Sequence, residues 1–166
     1  MKNPWLLRLL ALAGLAISLY LLTLKLTGRI NYLVGCGEGS GCDNVLGSRW
    51  SQFFYLPVTA LAAALYAILL AATFKPNRLV YAGLAISFAG AALWFYGILL
   101  FELKSFCPWC AAAHLIGLTC AVLLFLTLRK RSDLGGSIHL GVVGGLFGVF
   151  ALILGQVLGP IPATHE

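Results

Sequence analysis

The chain has 166 residues, of which 61% are hydrophobic and 10% charged, and its mean hydropathy is +0.97. Soluble domains run nearer about half apolar and a quarter charged, so this composition excludes an ordinary soluble enzyme and reads as an integral membrane protein, one transmembrane domain over 1–166. The net charge of +6 sits on loop lysines and arginines, where it acts as a topology signal and gives no basis for nucleic-acid binding.

The first apolar run covers about 6–26, after Lys2 and around Arg8. It reads as a retained span and not a signal peptide, because it runs on to Leu26 and the following "TGRINYLVGCGEGSGC" holds no small-residue cleavage site. A polar, Gly-rich loop follows over 28–56, and further apolar runs cover about 57–74, 79–101, 108–128 and 138–158. Each is near the roughly 20 residues that an α-helix needs to cross about 30 Å of hydrocarbon. "KPNR" at 75–78 and "RKRSDLGGS" at 129–137 separate them. The expected fold is an all-α membrane protein, a four-helix transmembrane bundle plus a fifth transmembrane helix. Lys2, Arg8, Lys75, Arg78, Arg129, Lys130 and Arg131 fall on one side, and Lys25, Arg29, Arg49 and Lys104 on the other. The excess predicts a cytoplasmic N-terminus, with the 28–56 loop and the tail "GPIPATHE" outside.

On that topology Cys36 and Cys42 lie in the outer loop and Cys107 and Cys110 at the outer mouth of the fourth span, all on a face that is oxidising in a bacterial envelope or in the ER lumen. Cys120, ten residues further in, reads as a buried packing residue. In "FCPWC", Pro108 suits the first helical position, which makes Cys107 the N-cap and sets Cys110 one turn later. Free N–H groups and the helix dipole there favour a thiolate at Cys107. Glycines 35, 37, 39 and 41 make the link between Cys36 and Cys42 pliable, so that the pair can close a small disulfide ring and swing. Beyond Cys42, Val45, Leu46, Trp50, Phe53 and Phe54 mix with Asp43, Asn44, Ser48, Arg49 and Gln52, which predicts a short interfacial helix capping the outer end of the bundle. Two thiol pairs, one mobile and one fixed at the membrane, form an exchange relay. The natural lipid-soluble two-electron acceptor for its second pair is a quinone.

His114 lies four residues after Cys110 on the same helix face. An ionisable residue inside a span is a functional candidate, here to hydrogen-bond a quinone oxygen or relay a proton, the alternative being a bond to a neighbouring helix or interface water. His139 and His165 read as solvated, Glu102 and Lys104 as marks of the water boundary, Arg49 as an interfacial anchor or a charge steering a partner, and Trp94 and Tyr96 as packing aromatics or pocket walls. Gly141, Gly144, Gly145 and Gly148 form a small-residue stripe that permits close helix contact, on the bundle or with a second copy.

The loop pair, the "SRW" at Ser48–Trp50 and the "CPWC" opening the fourth span together resemble the vitamin K epoxide reductase family, in particular its bacterial homologues, over about residues 5–130. The resemblance implies a helical bundle around a quinone (ubiquinone or menaquinone), with Cys107–Cys110 as the active-site pair, Cys36–Cys42 as the shuttle pair and Ser48 positioning the loop. Cys110, His114 and Ser48 are the expected quinone contacts. It further implies that the protein, in the inner (cytoplasmic) membrane, reoxidises a periplasmic thioredoxin-like, DsbA-like partner and so supports disulfide bond formation. Many bacterial members continue into a fused thioredoxin-like domain; this chain ends at Glu166, and a separate partner is expected. Vertebrate members carry Thr-Tyr where Ala113 and His114 stand, which favours plain quinone reduction over epoxide reduction. A DsbB-like enzyme would place the quinone-linked pair first in the chain. A non-catalytic zinc site built from the same four cysteines would need an unusual spacing, and two structural disulfides would include a Cys107–Cys110 ring too short to constrain much chain.

Overall fold

A computed structural model describes residues 5–34, 36, 40–131 and 133–159. Lys2, glycines 35, 37 and 39, and residues 160–166 with His165 lie outside the described residues. The elements in chain order are α1 (Trp5–Leu26), α2 (Gly41–Gly47), β1 (Gln52–Phe53), β2 (Leu56–Pro57), α3 (Val58–Ala72), α4 (Arg78–Gly97), α5 (Pro108–Lys130) and α6 (Ile138–Leu158). A π-helical turn, Ile98–Glu102, continues α4. Among the described residues four helices, Trp5–Leu26, Arg78–Glu102, Pro108–Lys130 and Ile138–Leu158, are long and apolar enough to cross a membrane. The run expected as a span over 57–74 forms only the 15 residues of α3, roughly 22 Å of helix. Its start is set by the antiparallel β1–β2 hairpin, which holds Pro57 in extended backbone.

The mixed apolar and polar stretch after Cys42 does not form one helix. Cys42 lies inside α2, which stops at Gly47 because Ser48 turns to extended backbone (ψ 160°). Trp50 then sits in a 3-10 turn, Arg49–Ser51, and Phe53 in β1.

α1 buries Leu7, Ala11, Gly14, Ser18 and Leu21, one stripe at three- and four-residue spacing. It packs against α3 and α5, while α4 packs against α5 and α6. Gly14 leaves room for the Tyr66 ring, whose hydroxyl donates to the Ala113 carbonyl at 2.6 Å. One core cluster gathers Leu7, Tyr66, Leu69, Phe88 and Leu124 around Cys120, which is 0% exposed, as its reading as a packing residue expected. A second cluster, at the other end of α1, is built around the remaining four cysteines.

Hydrogen bonds identify the two ends of the bundle. Arg8 Nε donates to Thr73 Oγ1 at 3.1 Å, and its guanidinium lies 4.4 Å from the Phe74 ring centre. The Arg78 N–H donates to the Gly135 carbonyl at 2.9 Å. The start of α1, the α3–α4 turn and the α5–α6 turn therefore share one end, where Arg8, Lys75, Arg78, Arg129, Lys130 and Arg131 gather. Lys25, Arg49 and Lys104 belong to the opposite end, with the cysteines.

The glycine stripe of α6 divides in two. Gly141 meets the Leu79 carbonyl and Ala82, and a Cβ on Gly145 would stand 2.7 Å from the Gly83 carbonyl oxygen and 2.8 Å from Ile86 Cβ. These two seat α6 on α4, whereas Gly144 and Gly148 face open space. Gly145→Val is therefore expected to lower the thermal unfolding midpoint in detergent by forcing the helices apart, at a cost of about 1–3 kcal/mol. Gly144→Val leaves the midpoint within the scatter of surface changes, and equal effects at the two sites would refute the packing.

Candidate active site

Cys107 caps α5 from extended backbone (φ −110°, ψ 106°), Pro108 follows in the first turn, and the Cys107 sulfur accepts the Cys110 N–H at 3.2 Å. This is the start that the "CPWC" spacing predicts. A hydrogen bond from the Cys110 thiol is the largest influence on Cys107 and holds its thiol below the ordinary cysteine value. Burial acts against it, and the N–H groups of Cys110 and Trp109 reinforce it. Trp109 ties the motif to the loop, its Nε1 donating to the Val34 carbonyl at 2.9 Å and its ring meeting Tyr20 at 5.7 Å between centres.

Cys36 and Cys42 are joined as a disulfide, with Cα atoms 5.8 Å apart. Cys42 is carried on α2 and is 1% exposed, packed into the interior; glycines 35, 37 and 39 of the link expected to be pliable lie outside the described residues. Gly41 lies so close to Phe106 that a Cβ would collide with the Phe106 carbonyl. That approach brings the loop pair onto the helix pair: Cys36, Cys42, Cys107 and Cys110 share one buried cluster with Leu21, Leu33, Leu46 and Leu99.

Three residues that sequence reasoning assigned elsewhere or passed over hold this arrangement. In sequence Lys25 counts only as one of the outer-side charges. Its ammonium instead donates to the Leu46 carbonyl (3.0 Å), the Ser51 carbonyl (3.2 Å) and the Ser51 hydroxyl, which uses all of its N–H groups and sets its charge within electrostatic reach of Cys110. Arg49 donates to the Gln156 and Val157 carbonyls at 2.9 and 3.1 Å, closing the C-terminal end of α6. Gln156, 3% exposed, donates to the Trp50 carbonyl and accepts Trp94 Nε1–H at 2.7 Å. Trp94 thus serves a buried polar contact, and Tyr96 donates to the Ala111 carbonyl at 2.8 Å. Ser48 donates to the Val45 carbonyl at 2.8 Å, within the turn that ends α2.

Beside the cysteines is a cavity of about 70 Å³ lined by Cys110, His114 and Ser48, the three expected ligand contacts, together with Ser18 and Thr59. The His114 ring stacks on Phe95 at 4.9 Å and 16°, and among the described residues no hydrogen bond reaches its nitrogens. Ser18 Oγ and Thr59 Oγ1 are buried with no hydrogen-bond partner among the described residues. Such orphaned hydroxyls cost about 1–3 kcal/mol each, and two of them on one apolar cavity suit a ligand that presents carbonyl oxygens. A quinone has this chemistry, and the donor set fits it. A second, apolar cavity of about 280 Å³ adjoins the first through Val58, Ala62, Phe95, Ala113 and His114.

A family model described as the vitamin K epoxide reductase family matches residues 5–125, a stretch that contains all four clustered cysteines, Ser48 and His114 and ends before α6. No curated protein matches the chain.

Because the Cys110 thiol stabilises the Cys107 thiolate, Cys110→Ala is expected to move the Cys107 titration upward, toward the ordinary thiol range near about 8.5. Thiolate absorbance at 240 nm against pH, in a Cys120→Ala background with the loop disulfide intact, reads the shift. An unmoved midpoint would show that the thiol contact does not tune Cys107.

Proposed function

The chain belongs to the vitamin K epoxide reductase family, and on that premise we propose that it is a quinone-dependent thiol-disulfide oxidoreductase of the bacterial inner membrane that reoxidises a thioredoxin-like, DsbA-like dithiol protein. In this reading α1, α3, α4, α5 and α6 span the bilayer, α2 lies in the interface, the N-terminus is cytoplasmic and the cysteines face the periplasm. The observation that supports it best is the gathering of Cys36, Cys42, Cys107 and Cys110 in one buried cluster beside a cavity lined by Cys110 and two unpartnered hydroxyls.

The steps balance as two-electron exchanges. A partner thiolate attacks the Cys36–Cys42 disulfide, and the partner's second thiol resolves the mixed species. The partner leaves as a disulfide and the loop pair as two thiols. One loop thiol then attacks Cys107 of a Cys107–Cys110 disulfide, and Cys110 departs. The other loop thiol displaces Cys107, reforming Cys36–Cys42, and here a stabilised Cys107 thiolate makes the better leaving group. Cys107 and Cys110 finally return to the disulfide by giving up two electrons and two protons. A bound quinone supplies the acceptor for both. Ser18 and Thr59 would donate to its carbonyl oxygens, His114 would offer a further donor, and Phe95 and Leu21, which also line the cavity, would shield the ring from water. A zinc site built from the four cysteines would require Cys36 and Cys42 as separate thiolates, and they are joined to each other.

Purified protein in detergent, given a reduced thioredoxin-like donor and a quinone, is expected to reduce the quinone, as followed by absorbance, and Cys110→Ala to abolish turnover. Absence of turnover with both ubiquinone and menaquinone analogues, together with stoichiometric Zn²⁺, would overturn the proposal. Thr59→Val removes a hydroxyl while keeping its shape, and is expected to raise KM for quinone by roughly tenfold while the exchange between partner and loop pair, trapped as a mixed disulfide, proceeds at its normal rate.

A further inference from the structure

The larger cavity lies between α3, α4, α5 and α6, and α6 contributes Gly148, Val149 and Leu152 to it. α6 packs extensively on α4 and touches β1, so on the α3 side the two helices leave a cleft. Ala64, Ile68 (50% exposed) and Gly148 line the cavity and are also exposed at the surface of the bundle, which marks them as its mouth. Gly148 is the middle residue of α6. It lies eight residues before Gln156, which binds the outer loop, hence about 12 Å deeper along the helix. The mouth therefore opens sideways, at the depth of the hydrocarbon, while the inner end of the cavity meets the site at His114 and Ala113. Its walls are apolar apart from Ser87, Tyr66 and His114, and the Tyr66 hydroxyl is already engaged with Ala113. A hydrocarbon chain attached to a ring at Cys110 fits this shape, whereas a polar ligand does not.

We propose that α6 forms one wall of a channel for the isoprenoid tail of the quinone, and that Gly148 sets its bore. The inference rests on the quinone reading above and adds to it a specificity residue on a helix beyond the family match. A Cβ on Gly148 meets nothing within 4 Å, so a large side chain there projects into free space at the channel mouth without disturbing the α4–α6 contact. Gly144 is equally open but does not line the cavity, which makes Gly144→Phe the matched control.

The test compares the unmodified protein, Gly148→Phe and Gly144→Phe with a long-tailed quinone and with the tailless menadione. It measures binding by quenching of intrinsic tryptophan fluorescence, the long-tailed quinone and phospholipid retained through purification by solvent extraction and mass spectrometry, and kcat/KM. Gly148→Phe is expected to weaken binding and kcat/KM for the long-tailed quinone by roughly tenfold, to retain less of it, and to leave menadione and the unfolding midpoint unchanged. Gly144→Phe is expected to change none of these. If the unmodified protein binds neither quinone, the quinone reading falls and this inference with it. If it binds both and Gly148→Phe discriminates between them no better than Gly144→Phe, the inference about α6 alone falls. Loss of retained phospholipid from Gly148→Phe with long-tailed quinone binding intact would likewise overturn it, assigning the channel to a lipid acyl chain.

Discussion

The close seating of α2 on the backbone before α5, possible because residue 41 is glycine, is the contact on which the site depends. A Cβ at that position would push α2 outward and lift Cys42 away from the N-cap of α5. With the approach made, two cysteine pairs far apart in sequence share one dry cluster. Exchange between pairs requires direct contact of sulfurs through a mixed disulfide, so the chemistry is set by how accurately the loop is laid down. Lys25 grips the loop from below, Trp109 holds the segment before Cys36, and Arg49 and Gln156 bind it to the end of α6. These contacts join charged, indole or amide groups to backbone carbonyls. In an apolar end of a bundle such bonds are costly to leave unmade, so they orient the loop more sharply than apolar packing does.

The cavity beside this loop shows the opposite economy. Ser18 and Thr59 are buried without partners while every N–H of Lys25 is engaged a short distance away. Two hydroxyls left unsatisfied around Cys110 give up stability locally where a ligand would restore it. Departures of this kind concentrate at functional sites. His114 belongs to the same pattern, held by ring stacking on Phe95 with its nitrogens unbonded within the described chain.

Much of this was legible in the sequence for definite reasons. The long helices follow from apolar run length, and the start of α5 from Pro108 and a capping cysteine, both local features. The burial of Cys120 and the three residues that line the smaller cavity follow from helical spacing along α5 and from the loop serine. What was not legible depends on contacts between distant segments. α3 is shorter than its apolar run because the β1–β2 hairpin fixes Pro57 in extended backbone at its start and the helix stops at Ala72, with Thr73 and Phe74 taken up by Arg8, and α2 stops at Gly47 because Ser48 and Ser51 turn the chain under the Lys25 ammonium. Lys25 reads only as an outer-side charge and Arg49 as an interfacial anchor or a charge steering a partner, since nothing near them in sequence announces the carbonyls they bind. Gln156, an amide near the end of an otherwise apolar helix, was the one visible signal that α6 makes a specific polar contact there.

The position of α6 brings these threads together. Its glycines at 141 and 145 let it lie against the α4 backbone, and its end is fixed by Arg49 and Gln156 to the loop that places Cys42 over Cys107. The face between those two attachments borders the larger cavity. A helix pinned at both ends is stiff in between, since its backbone bonds are internal and its length is set by a fixed rise per residue. The same rigid element therefore carries the loop at one end and walls the apolar channel along its middle. The spacing between the thiol pairs and the lateral opening is then set by one helix and does not depend on the independent placement of several.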